Sequence, residues 1–167
     1  MKVRKFVYMS LLTAMALIIF IIEAQIPSLV PMPGVKLGLA NIIIVYAVFM
    51  LGPKPTFMIL ICRVFMSSIF VGHMMTLFYS LGGGILCFFS MLAMRKLVTI
   101  NQIWVCSVVG AIFHNIGQII VAILITHTLG LVAYLPILLV SGIIAGFFTG
   151  ICAQFVVLHL PERFKKI

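Results

Sequence analysis

Residues 56–94 run almost without a polar break, with Gly72-His73 the only clear interruption. A run of that kind is too long for one membrane span and fits two, at about 20 residues per crossing. It does not alternate between polar and apolar residues, so it reads as helix and not as barrel strand. In lipid only helices and closed barrels satisfy every backbone group. The rest of the chain agrees: 65% of its residues are hydrophobic and 8% charged, against roughly half and a quarter in soluble domains. The expected fold is an all-α integral membrane bundle in which the 167 residues form a single domain.

Six transmembrane helices are predicted, at about 6–22, 37–51, 56–71, 76–94, 103–125 and 131–158. Charge placement argues for that count. With the N-terminus inside, one side carries Lys2, Arg4, Lys5, Lys54, Arg95, Lys96, Arg163, Lys165 and Lys166, and the other carries only Lys36. Merging the third and fourth spans would put Arg95-Lys96 and the C-terminal cluster outside, against the tendency of basic residues to stay inside. Both termini are therefore expected in the cytoplasm of a multi-pass protein. The net charge of +9 sits in clusters at helix ends and does not point to nucleic acid. Cys62, Cys87, Cys106 and Cys152 fall in apolar runs without metal spacing and read as small buried hydrophobes. The start, M-K-V-R-K-F, lacks a following A-x-A site and is kept as the first helix.

Between the first two spans lies a different kind of sequence. Pro27, Pro31, Pro33 and Gly34 forbid a continuous helix there. The same stretch holds Glu23, one of only two acidic residues, and Lys36. A polar, irregular segment at the mouth of an apolar bundle reads as a lid or binding loop.

Charge and amides inside the spans mark further candidates. Arg63 lies within the third span, where a charge costs roughly 2.5–3.5 kcal/mol on insertion scales. It either lines a cavity or snorkels toward the inner headgroups. Glu23 is expected too far along the membrane normal to pair with it. In the fifth span, His114, Asn115 and Gln118 share a helix face. They form either a ligand wall or a polar clamp between helices. In the fourth span, Gly82, Gly83 and Gly84 follow Tyr79 and Ser80. A helix broken there would line a cavity with two hydroxyls, whereas an unbroken one would pack tightly. His73 and His127 fall at predicted outer turns. Gly142, Gly146 and Gly150 repeat every four residues in the sixth span, a face for close helix approach, either internal or to a partner subunit. Ser10 and Ala14 make a weaker version on the first helix.

What is absent narrows the chemistry. No G-x-x-x-x-G-K-[ST] run exists for ATP, no H-E-x-x-H, and no aspartate at all. Glu23 and Glu162 are expected at opposite membrane faces, leaving no carboxylate pair for acid–base work or for a metal–diphosphate complex. No enzymatic activity, metal or cofactor is expected.

Three motifs carry a resemblance: P-G-V-K-L-G-L-A-N at 33–41, Y-S-L-G-G-G at 79–84 and H-N-I-G-Q at 114–118. Over nearly its whole length the chain resembles the bacterial Gx transporter family, also described as heptaprenyl diphosphate synthase component I. That family is similar to the substrate-binding S components of energy-coupling factor (ECF) vitamin transporters. The resemblance implies a plasma-membrane subunit that binds a small organic molecule, such as a vitamin or a quinone or isoprenoid precursor. A transmembrane coupling subunit and two ATPases would power its uptake. It also implies that Lys36 and Asn41 belong to the loop motif, and His114, Asn115 and Gln118 to the fifth-helix motif. Ser10, Ala14 and Ala16 would meet the coupling subunit, although no clean A-x-x-x-A is present. The substrate-binding set expected is thus Glu23, Lys36, Asn41, Arg63, Tyr79, Ser80, His114, Asn115 and Gln118. The alternative is a non-catalytic membrane accessory of a prenyl diphosphate synthase. A stand-alone carrier driven by an ion gradient suffers from the lack of a carboxylate near the midplane.

Overall fold

A computed structural model describes residues 3–25, 38–71 and 74–160. Lys36, His73 and Glu162 lie outside the described residues. The elements described are all helical: α1 (Val3–Gln25), α2 (Asn41–Met50), α3 (Pro53–Val71), α4 (Met74–Arg95), α5 (Ile103–Thr126) and α6 (Leu135–His159). Short 3-10 turns, Ile100–Gln102 and Leu129–Tyr134, lead into α5 and α6. Proline opens α3 and sits in the first turn of α6, where its missing N–H leaves no unmet bond.

Five of these helices are long and apolar enough to cross a membrane. Their outward surfaces are apolar too: Phe6, Leu11, Ile69, Phe70, Phe148 and Phe155 are all more than half exposed. A surface of that kind is stable against hydrocarbon and not against water.

The second helix departs from expectation. It begins at Asn41 and not near residue 37, and has 10 residues, about 15 Å at 1.5 Å per residue, half of a roughly 30 Å hydrocarbon core. Its residues from Asn41 through Val48 are buried except Ile42. The reason lies just before it. Gly38 takes φ +80°, a left-handed conformation that glycine adopts without steric cost, and residues 39–40 form a turn. The apolar letters of Leu37, Leu39 and Ala40 disguise that turn as helix.

Inside the bundle, apolar packing falls into two clusters. The larger joins Met9, Leu12 and Ala16 of α1 to Ile44 and Val48 of α2, Leu60 and Val64 of α3, Cys87 and Met91 of α4, Cys106 of α5 and Ala153 of α6. The smaller joins Tyr79, Ile119, Ala122 and Leu138. The first occupies the end where α4 stops at Arg95, and the second occupies the opposite end. Between them lies a layer of buried polar side chains.

The α4–α5 and α5–α6 seams are built on glycine. A methyl group added at Gly117 would lie 2.6 Å from the carbonyl oxygen of Gly82, and one at Gly83 would lie 2.8 Å from that of His114. Helix α4 runs unbroken through Gly82–Gly84, so the glycine triplet serves close packing and not a helix break. Gly146 sits against Ala111 and Val108, and Gly150 against Trp104 and Ser107. Ser107 and Thr149 add a hydroxyl contact of 3.1 Å across the same seam. Of the two readings of the face at Gly142, Gly146 and Gly150, the partner interface gives way to the internal one: α5 covers that face from within the chain. Ser10 and Ala14 are exposed on α1, whereas Ala16 is fully buried and cannot meet another subunit. Two of the cysteines also differ from expectation, since Cys62 and Cys152 are exposed.

Candidate binding site

The polar layer encloses a small cavity lined by Phe20 and Glu23 of α1, Gly38 and Ala40 of the turn before α2, Arg63 of α3, Ser80 of α4, and His114 and Gln118 of α5. Its position follows from register. Arg63 is near the middle of α3 and His114 near the middle of α5. Asn41, the first residue of α2, reaches the same depth only because that helix starts late. Irregular backbone at membrane depth is tolerated where it is buried in protein or lines a cavity.

Glu23 organises one wall. Its carboxylate accepts the N–H of Gly38 at 2.6 Å and that of Ala40 at 3.4 Å. These groups precede a helix whose N-cap residue, Ala40, offers no side-chain bond. Glu23 therefore stands in for the cap from another helix, at the end where a helix dipole favours negative charge. It is 4% exposed although it lies in the last turn of α1.

Arg63 is 2% exposed. It is turned into the protein and does not snorkel, and its Nη1 donates to Asn41 Oδ1 at 3.4 Å. Glu23 and Arg63 face the same cavity and attract one another. The expected separation of these two residues is corrected. Arg63 stands near the middle of α3 and not near its inner end, and one cavity joins it to Glu23.

The fifth-helix motif divides between two tasks. His114 and Gln118 line the cavity, with the His114 ring between Gly38 and Gly83. Asn115 turns the other way: its Nδ2 donates to the Leu138 carbonyl of α6 at 2.5 Å, and Gly142 makes room for it. Asn115 is a clamp between helices and not part of the cavity lining, which corrects its assignment to the ligand wall. Tyr79 is likewise corrected, since it packs in the smaller apolar cluster while its neighbour Ser80 reaches the cavity. Phe20, Gly38 and Ala40 line the cavity without having been expected there. Gly38 had a signal, as the second glycine of the loop motif, while Phe20 had none.

Several polar atoms in this layer have no hydrogen-bond partner: Asn41 Nδ2, Arg63 Nε, His114 Nδ1, Asn115 Oδ1 and Gln118 Oε1. Unpaired buried polar atoms are rare, and each costs about 1–3 kcal/mol. Asn115 Oδ1 lies away from the cavity; the others, at Asn41, Arg63, His114 and Gln118, mix donors and acceptors, so a molecule offering both could satisfy them. The cavity measures about 10 Å³, the size that holds one water. That is too small for an organic molecule.

The fold and site define a multi-helix membrane protein with a buried polar pocket and a single buried carboxylate–guanidinium couple among the described residues. Residues 12–156 match the family described as heptaprenyl diphosphate synthase component I, and the chain belongs to that family. No curated protein and no solved structure matches it.

Proposed function

We propose that this chain is the substrate-binding membrane subunit of an uptake system, built like the S components of ECF transporters. In this reading it takes up a small organic molecule, a vitamin or a quinone or isoprenoid precursor. Separate ATPases and a transmembrane coupling subunit supply the energy. The observation that carries the reading is the cluster of unpartnered buried polar atoms around Arg63, His114 and Gln118. Such a cluster is costly to stability and is retained where a ligand completes it.

The substrate set is Glu23, Asn41, Arg63, Ser80, His114 and Gln118, together with Lys36 of the loop motif. Arg63 and Lys36 favour a ligand that carries an acceptor or anionic group, and Phe20 offers an apolar or aromatic contact. Because the closed cavity holds one water, binding requires an open form in which the Gly38–Ala40 turn moves away from His114. The six-span arrangement with both ends in the bacterial cytoplasm belongs to this reading. So does the exposed face of α1 at Ser10 and Ala14 as the surface for the coupling subunit. The chain itself is non-catalytic.

The test is native mass spectrometry of protein gently purified from its own host. A retained small molecule, lost in Gln118→Ala and His114→Ala variants that stay folded, supports the reading. Protein that is empty and carries no coupling subunit overturns it.

The family description favours a second reading, in which the chain is a membrane accessory that anchors a soluble prenyl-chain synthase. Capture of such a synthase through the α2–α3 turn or the α4–α5 connection, with the cavity empty, would put this reading first.

A further inference from the structure

A second cavity, of about 530 Å³, opens at the end of the bundle where α3 begins and α4 stops, lined by Pro53, Leu92, Ala93, Arg95 and Lys96. We propose that it binds the phosphate of an anionic phospholipid, with an acyl chain lying along Leu92 and Ala93.

The first argument is charge. This end of the bundle carries Arg4, Lys5, Lys54, Arg95 and Lys96. The one acidic residue among the described residues, Glu23, lies at the far end of α1 inside the polar layer. No carboxylate among the described residues stands at this end to pair with these cations, and the phosphates of an anionic membrane surface can. Two of the five share one cavity. Arg95 is partly buried, with its Nη1 directed over Gly52 of the α2–α3 turn, 4.0 Å from where a Cβ on that glycine would stand.

The second argument is shape. The cavity pairs two basic groups with walls of Pro53, Leu92 and Ala93. A free phosphate would use the charges and leave the apolar wall bare, whereas a phospholipid uses both. Basic pockets between transmembrane helices at headgroup level have this chemistry. The assignment is independent of the transport reading.

The test uses the full chain in mixed micelles containing equal amounts of phosphatidylglycerol and phosphatidylcholine, with retained lipid counted by native mass spectrometry. Wild-type protein retains phosphatidylglycerol in preference. The preference falls roughly fivefold for each charge removed in Arg95→Gln and Lys96→Gln. Arg4→Gln/Lys5→Gln, which removes the same charge from the same end, leaves it unchanged. Ala93→Trp fills the apolar wall with the charges intact and also lowers retention, which keeps the proposal testable if the charge variants misfold. Equal retention of the two lipids by wild type overturns the proposal, as does an equal loss in the Arg4/Lys5 control. Displacement of the lipid by millimolar inorganic phosphate overturns it in favour of a simple anion site.

Discussion

Glu23 accepts the backbone N–H of Gly38 at 2.6 Å, fifteen positions further along the chain. The same side chain faces Arg63 across the polar cavity. One carboxylate thus fixes the entry to α2 and balances the buried cation. Removing it leaves a guanidinium without its counter-charge in a low-dielectric layer. Glu23→Gln is expected to lose about 3–5 kcal/mol, the usual consequence of breaking a buried pair from one side. Glu23→Gln combined with Arg63→Gln should lose less than the sum of the two single variants. Unfolding of the four proteins in detergent measures the coupling. Additive losses would show that the two groups act independently.

The two glycines with positive φ make a second comparison. Both Gly38 and Gly52 adopt φ near +80°, so alanine at either costs about 1–2 kcal/mol for the left-handed backbone. At Gly52 the nearest neighbour of an added Cβ is 4.0 Å away, whereas at Gly38 it would stand 2.9 Å from Asn41 Nδ2 and 3.1 Å from the His114 ring. Gly38→Ala should therefore be the more damaging substitution and should also disturb the cavity. A thermal-melt series comparing the two decides it, and equal losses would count against the packing described around His114.

Much of this arrangement was legible in the sequence. Hydropathy gave the long spans because each is apolar over a bilayer's thickness, and Arg63, Ser80, His114 and Gln118 stood out as polar letters in apolar runs. The start of α2 did not stand out. Leu37, Leu39 and Ala40 look like helix to a hydropathy reading, and only the backbone of Gly38 shows the turn. The meeting of Glu23 with Arg63 was hidden for a separate reason: a third span started at 56 sets Arg63 close to the inner end, whereas α3 begins at Pro53 and holds it near its middle. The split of His114 and Gln118 from Asn115 was hidden for another reason. Helical spacing says which residues share a face, but one wide face can meet two neighbours, here α4 and α6.

That split yields a third prediction. Gln118→Leu removes an unpartnered buried acceptor, and it should leave stability unchanged or slightly raised while abolishing ligand retention. Asn115→Ala removes a bonded donor from the α5–α6 clamp and should cost about 1–3 kcal/mol. Parallel melts and native mass spectra separate the two behaviours. A stabilised Asn115→Ala protein would contradict the clamp.

The glycine seam supplies the fourth. An added Cβ at Gly146 would stand 2.9 Å from that of Ala111 and 3.0 Å from the Val108 backbone, so Gly146→Val should prevent the folded bundle from accumulating, whatever partners are present. Ser10→Leu, on the exposed face of α1, should leave folding intact. Fluorescence-detected size exclusion of the two variants reads this directly. A well-folded Gly146→Val protein would mean that α6 does not pack on α5 at that point.

The larger apolar cluster has a consequence for leakage. Between the polar layer and the Arg95 end stand Ile44, Val48, Leu60, Val64 and Met91, each fully buried and none able to carry charge. A proton or small cation that reached Arg63 from the other side would find no relay onward through these side chains. Those five side chains thus form a hydrocarbon plug beneath the polar layer.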